Sequence, residues 1–158
     1  MTKPEAPYAR LTPDRMLDAL ESVGLRGDGR FIALNSYENR VYQVSLEDGG
    51  TVVAKFYRPQ RWSDAQVLEE HAFVADLAGR EIPVVAPLPL GDAGATLASF
   101  DGYRFAVYPR RGGRAPELDD PDQLERIGRF IGRIHAVGAV ARFVERPALD
   151  VDSFAVEP

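Results

Sequence analysis

The chain has 158 residues, of which 45% are hydrophobic and 27% charged, a composition typical of a globular domain that excludes a disordered or fibrous chain. Its net charge of −5 argues against nucleic acid or a membrane surface as a partner, because both require a positive patch that faces phosphate. The sequence has no cysteine and only two histidines, which excludes disulfides and thiol nucleophiles and argues against a zinc site.

The N-terminal sequence MTKPEAPYAR has no apolar segment like that of a signal peptide. No uninterrupted apolar run approaches the ~18 residues that a membrane-spanning helix needs. We therefore expect a cytoplasmic protein with no membrane partner.

The first half of the chain predicts one helix followed by three strands. A Thr-Pro start, apolar residues at helical spacing and a glycine stop predict a helix over residues 12–23. Short apolar runs predict strands at residues 31–34, 41–46 and 51–57, the last two joined by the turn Asp48-Gly49-Gly50. Three strands in succession favour an antiparallel meander.

The second half predicts a helix, a hairpin and a final helix. The first helix of this half runs from Ser63 to about residue 78. It opens with a capping box in which Gln66 follows Ser63 by three residues. Residues 81–90 contain three prolines and predict an extended connection with one edge strand near its end. A hairpin of residues 96–100 and 103–108 comes next. A linker rich in Pro and Gly then precedes a helix over about residues 121–137.

Lys55 lies in the middle of the third predicted strand, although lysine is depleted in strands and is seldom buried without a partner. Strand alternation puts Val53, Lys55 and Tyr57 on one face. On the next helix, Glu70 shares the apolar face, whereas Glu69 lies on the face predicted to meet solvent. An inward Lys–Glu pair of this kind is how kinases aim a lysine at the phosphates of ATP. We therefore expect Lys55 to pair with Glu70.

The polar stretch of residues 35–40 separates the first two strands, in the position where kinases cover the nucleotide phosphates. It contains no glycine, so the G-x-G-x-x-G signature is absent. Ser36, Tyr37 and Asn39, together with the backbone N–H groups of this loop, are the candidate contacts to phosphate. Taken alone, the stretch also fits an ordinary polar hairpin loop.

The predicted adenine contacts come from the sheet and from the turn that follows it. Val41 and Val53 would form an apolar roof over the base. Because Pro109 has no N–H to donate, we expect the Tyr108 carbonyl and the Arg110 amide to meet the adenine edge.

Five stretches of the sequence carry a resemblance to a known family: LNSYENRVYQV, VVAKFYRPQRW, LEEHAF, IPVVAP and GRFIGRIHAVG. In order and spacing they resemble the N-terminal half of the bacterial stress-response kinases, from about residue 11 to residue 158. These are cytoplasmic Ser/Thr protein kinases whose fold is similar to that of aminoglycoside phosphotransferases and choline kinase. The resemblance implies an α+β fold like a protein-kinase N-lobe, with about five antiparallel strands and one packed helix. An N-terminal helix and the first helix of the C-lobe complete it.

The resemblance also implies how the chain is divided and what it binds. Residues 1–108 would form the nucleotide-binding N-lobe, residues 109–121 the hinge, and residues 122–158 the start of the C-lobe. ATP and Mg²⁺ are the implied cofactors, Ser36 contacts ATP, and a protein is the implied substrate of the whole enzyme.

Residues 110–158 depart from the kinase pattern, because they contain neither an H-G-D or H-R-D loop followed by asparagine nor a D-F-G equivalent. We therefore expect the chain to be a fragment that is inactive alone, with the catalytic base and the metal ligands outside it.

Several alternatives stay open. The phosphate acceptor could instead be a small molecule such as an amino alcohol or an aminoglycoside, or the domain could be a non-enzymatic interaction module. We expect His71 to be structural and His135 to be a core histidine, because His135 lies on the apolar stripe of its helix. Trp62 is expected to pack at the start of its helix. Apolar surface left open for a second lobe predicts self-association of the chain.

Overall fold

The computed structural model of the chain describes residues 6–151, so predictions that concern residues 1–5 and 152–158 lie outside the described part. The structure is α+β, as predicted. Its helices are α1 (Pro13–Glu21), α2 (Asp64–Gly79) and α3 (Pro121–Gly138), and its strands are β1 (Gly27–Leu34), β2 (Arg40–Leu46), β3 (Thr51–Phe56), β4 (Ala98–Phe100) and β5 (Tyr103–Pro109).

The five strands form one sheet in the order β1-β2-β3-β5-β4, and every neighbouring pair is antiparallel. Strand β1 begins four residues earlier than predicted, and its pairing with β2 is irregular between Gly27 and Phe31. Gly29 lies in this irregular stretch with φ of +89°, a conformation that glycine adopts without strain. The edge strand predicted within residues 81–90 is reduced to a single bridge between Leu90 and Ala95, because proline cannot donate to a ladder.

Around β3 the sheet is covered on both faces, and the side chains of β3 alternate between them. On one face, Ala54 and Phe56 are fully buried against Met16 and Leu20 of α1. On the other face, Tyr57 packs with Val67 of α2. Helix α2 is the packed helix that the sequence predicted, and α1 adds a second covering layer. Lys55 therefore lies on a strand with protein on both sides.

Local signals set the start of α2. The Ser63 side chain accepts the backbone N–H of Gln66, and the Gln66 side chain accepts the backbone N–H of Ser63. This is the capping box predicted from the sequence, and it satisfies two N–H groups that a helix start leaves without partners.

Helix α3 packs through only part of its apolar stripe. Ile134 and Val137 contact Leu77 and Ile82, whereas Ile131 remains 47% exposed. His135 is exposed, so the prediction of a core histidine is wrong. The apolar stripe of α3 is wider than the surface that the described residues supply to cover it. Within residues 6–151, no helix combines the length and the apolar content needed to cross a membrane.

Candidate nucleotide-binding site

The ion pair expected between Lys55 and Glu70 is present. The Nζ atom of Lys55 lies 3.4 Å from Oε1 of Glu70, with the two side chains 23% and 34% exposed. Burial lowers the pKa of Lys55, the nearby charge of Arg146 lowers it further, and Glu38 acts in the opposite direction. The ammonium group is thus partly exposed beside α2, and its role toward a nucleotide stays a prediction.

Lys55 rests against a buried network of polar side chains. Its Nζ lies 4.6 Å from the centre of the Tyr57 ring, and the Tyr57 hydroxyl contacts Nε2 of His71 at 2.7 Å and the Tyr108 hydroxyl at 3.2 Å. Nδ1 of His71 contacts the Thr96 hydroxyl at 2.9 Å. Burial lowers the pKa of His71 to about 4, and the positive charge of Lys55 adds to the effect. His71 is therefore neutral near pH 7, and its ring holds the tyrosine on which the lysine rests.

An apolar patch lies beside Lys55 on the same face of the sheet. The register pairs Val41 with Lys55 and Leu34 with Val41, and side chains at paired positions point to the same face. Val53 shares this face by alternation along β3. Ile32 and Leu34 are 60% and 39% exposed. The two valines were predicted from the sequence, whereas Ile32 and Leu34 were not, although the alternation within Phe-Ile-Ala-Leu indicates them.

Within residues 6–151, the contacts that fasten the loop between β1 and β2 all lie at its second end. Oδ1 of Asn39 accepts the backbone N–H of Arg58 at 3.2 Å, and Glu38 pairs with Nε of Arg61 at 2.8 Å. Ser36 and Tyr37 are exposed. The second half of the loop is therefore fastened to the chain that leaves β3, while the first half projects freely. A two-residue turn could not make this fastening, which explains the length of the polar stretch.

The hinge candidates differ in their surroundings. Tyr108 pairs with Val53, and its side chain faces the site. Because the Arg104 carbonyl accepts the backbone N–H of Tyr57, alternation along β5 turns the Tyr108 carbonyl toward β3 and into the ladder. Arg110 follows the strand and is exposed. Of the two predicted adenine partners, the Arg110 amide is the one that lies beyond the ladder.

A contact that the sequence analysis missed joins α2 to the chain after α3. Arg146 forms an ion pair with Oε2 of Glu70, and its guanidinium lies 4.5 Å from the centre of the Trp62 ring. Glu69 accepts the backbone N–H groups of Val144, Glu145 and Arg146. These hydrogen bonds hold the pKa of the Glu69 carboxyl below its ordinary value. Glu69 thus lies on the outer side of α2, where its carboxylate meets the backbone of the chain after α3 as well as solvent. Nothing in local periodicity could indicate a contact between residues 77 positions apart.

Metal ligands are not grouped in this part of the chain. Across residues 6–151, no three His, Cys, Asp or Glu side chains lie together in a way that could hold a metal ion. The residues present therefore do not fit a magnesium site of their own.

Comparison with known proteins places this geometry in a family. The model of the phosphotransferase enzyme family matches residues 30–156. Stress response kinase A of Escherichia coli K12 is 45% identical over 151 residues, which is 96% of this chain and 45% of that protein. Serine/threonine protein kinase RdoA of Salmonella typhimurium is 44% identical over the same shares. The chain thus spans about half the length of these relatives.

Two solved structures have a similar fold. Amicoumacin kinase, in complex with AMP-PNP, Ca²⁺ and Ami, superposes with a TM-score of 0.67 at 23% identity, over 82% of this chain and 41% of that one. Spectinomycin phosphotransferase, in complex with ADP and spectinomycin, superposes with a TM-score of 0.60 at 13% identity, over 78% of this chain and 37% of that one. The sheet, the family model and the relatives agree, and the chain belongs to the phosphotransferase enzyme family.

Proposed function

We propose that this chain forms the ATP-binding lobe of a Ser/Thr protein kinase that transfers the γ-phosphate of ATP to protein hydroxyls in a stress response. The observation that carries the proposal is the Lys55–Glu70 pair, placed beside an open apolar face of the sheet. The names of the relatives, stress response kinase A and serine/threonine protein kinase RdoA, support the protein substrate.

In this proposal the sheet face binds the adenine of the nucleotide, and Lys55 binds its phosphates. The adenine lies under Val41 and Val53, and Leu34 widens the roof because it shares their face. The Arg110 amide donates to the adenine edge, and the acceptor for the base comes from a carbonyl beyond Tyr108. The ammonium of Lys55 contacts the α- and β-phosphates, and Glu70 keeps it aimed there.

The loop between β1 and β2 covers the phosphates. Ser36 and Tyr37 are exposed and can turn toward a triphosphate, whereas the Asn39 side chain oxygen is already bonded to Arg58. The Asn39 amide nitrogen remains as its donor to phosphate. This assigns the free half of the loop to the nucleotide and the fastened half to the fold.

Phosphoryl transfer also needs a base and divalent metal ions. The described residues do not group as a metal site, so no step proposed for this chain passes through magnesium. We propose that the base and the ligands for Mg²⁺ come from outside these residues, and that the chain alone binds ATP without transferring phosphate.

A second candidate keeps the fold and changes the acceptor to a small molecule. The two solved structures with this fold are named as an amicoumacin kinase and a spectinomycin phosphotransferase, names that give a small molecule as the acceptor. Incubation of the full-length protein with labelled ATP separates the two candidate functions. Label on protein supports the protein kinase, and label on a small metabolite supports the second candidate.

ATP binding itself is tested by calorimetric titration of the chain and of two variants. The sequence has only two lysines, Lys3 and Lys55, so Lys3→Met is a matched control that removes the same charge. Lys55→Met should weaken ATP binding by about tenfold or more, because a charge-assisted contact is lost. Absence of heat in all three proteins would favour a non-enzymatic interaction module, and equal affinity in all three would contradict the contact between Lys55 and the nucleotide.

We also propose that the chain self-associates through α3. Leu124, Phe130 and Ile131 are 46%, 39% and 47% exposed, and apolar surface of this kind tends to find a partner.

A further inference from the structure

The chain after α3 is fastened to α2 by a segment that we call the strap (residues 144–146). Both oxygens of the Glu69 carboxylate accept backbone N–H groups, from Val144 at 2.6 Å, Arg146 at 2.7 Å and Glu145 at 3.1 Å. The Gln66 side chain donates to the Glu145 carbonyl at 3.0 Å. Three consecutive N–H groups around one carboxylate form an anion-binding concavity. These contacts fix the backbone of Arg146 against the helix that carries Glu70.

The Arg146 side chain makes its contacts with α2 and with Trp62, which precedes that helix. Its Nε donates to the Gln66 carbonyl at 3.1 Å, its guanidinium covers the Trp62 ring, and it forms an ion pair with Oε2 of Glu70. Only 24% of the side chain is exposed. A guanidinium presents its N–H groups in a rigid fork and stacks on aromatic rings, so these contacts define one orientation.

Glu70 therefore bridges two cations, with Oε1 toward Lys55 and Oε2 toward Arg146. We propose that Arg146 is a positioning residue, which holds the second oxygen of Glu70 so that the first stays directed at the ammonium of Lys55. A partly exposed ion pair on its own loses side-chain entropy when its two side chains are held in one geometry. The strap removes that freedom during folding, before any ligand arrives, which favours binding.

The strap also makes the pair depend on a distant part of the chain. Residues 144–146 follow α3, and they reach α2 from 75 to 77 positions away. Any movement of this segment relative to α2 would release Oε2 of Glu70. The consequence for ATP affinity rests on the function proposed above, whereas the effect on Lys55 does not.

The test uses the two lysines as spectroscopic probes. In chain labelled with ¹³C at the lysine ε-carbons, NMR gives two signals, and Lys55→Met identifies the one that belongs to Lys55. Arg146→Met keeps the aliphatic stem and removes the charge. Because Arg146 lowers the pKa of Lys55, we expect Arg146→Met to raise that pKa and to shift the Lys55 signal. Arg146→Lys should restore part of both.

Two further variants sharpen the test. Arg142→Met removes the same charge from an exposed position just before the strap, and it should leave the Lys55 signal unchanged. Glu69→Gln weakens the fastening of the strap without touching the ion pair, and it should shift the Lys55 signal in the same direction as Arg146→Met. The single tryptophan, Trp62, reports by its fluorescence whether the strap is still docked. An unchanged Lys55 signal in folded Arg146→Met, or an equal shift in Arg142→Met, would overturn the proposal.

ATP titration of the same variants separates the two proposals. Arg146→Met should weaken ATP binding about five- to tenfold, a modest coupling between neighbouring groups, and Arg142→Met should not. Equal affinity of Arg146→Met and the unaltered chain would contradict the positioning role. If the unaltered chain binds no ATP, the proposed function fails, and the Lys55 signal still decides whether Arg146 positions the pair.

Discussion

The buried histidine behind the lysine predicts a specific weakness in acid. The pKa of His71 falls from 6.5 to about 4 on folding, and the residue is only 3% exposed. In the unfolded chain the imidazole takes up a proton once the pH falls below about 6.5, whereas in the folded chain it does so only near pH 4. The unfolded state therefore binds more protons between these values, and stability is lost as the pH falls through this window.

The size of the effect follows from the shift in pKa. Each pKa unit corresponds to about 1.4 kcal/mol, so a shift from 6.5 to about 4 corresponds to at most about 3.5 kcal/mol of unfolding free energy. Small domains are stable by about 5–15 kcal/mol in total. Protonation of this one side chain therefore removes a large share of the stability, and below pH 4 its effect levels off.

Urea unfolding at pH 7, 5.5 and 4.5 measures the effect in the unaltered chain and in His71→Gln. The variant is less stable at pH 7, because its side chain cannot reproduce both ring contacts, but it should lose less stability in acid. His135→Gln is the matched control, since His135 is the other histidine and is exposed. Carboxyls whose pKa is lowered on folding, such as that of Glu69, act in every variant and cancel in the comparison.

Parallel losses of stability in the unaltered chain and in His71→Gln between pH 6.5 and 4 would refute this reasoning. So would a change in pH dependence of the same size in His135→Gln, because the effect would then not come from the buried ring.

Three further outcomes are expected. Phe105→Ala, in the fully buried stack with Phe56, should lower the free energy of unfolding by about 3–5 kcal/mol in urea titrations, and a loss below about 1 kcal/mol would contradict the packing described. Ser63→Ala removes the capping box of α2 and should cost about 1 kcal/mol, with Ser99→Ala at an exposed position as the control near zero. Ile131→Glu should reduce self-association in sedimentation velocity, whereas an unchanged distribution would place the contact elsewhere.

The parts of the fold that depend on short-range chemistry were predictable from the sequence. The alternation of β3 and the pairing of Lys55 with Glu70 follow from strand and helix periodicity, because a strand lysine covered on both faces needs an anion nearby. The capping box that opens α2 is a pattern of four residues, and the structure has the two hydrogen bonds that this pattern predicts. The five strands follow from their apolar runs, and regular turns join β2 to β3 and β4 to β5.

The rest depends on contacts that local patterns do not encode. Glu69 lies on the polar side of α2 by periodicity, yet it collects three N–H groups from the strap. His135 lies on an apolar stripe, yet no described residue covers that part of α3. Asn39 reads as a free polar residue, and only the approach of the chain that leaves β3 allows its side-chain oxygen to accept the backbone N–H of Arg58.

The central claim, that the ammonium of Lys55 receives the phosphates of a nucleotide, is tested most directly by adding ATP to the chain labelled with ¹³C at its lysine ε-carbons. The account predicts that the Lys55 signal moves with ATP concentration and reaches a plateau, while the Lys3 signal stays in place and adenosine has a smaller effect on Lys55. A Lys55 signal that does not respond to ATP, or that moves only as much as the Lys3 signal does, would contradict it.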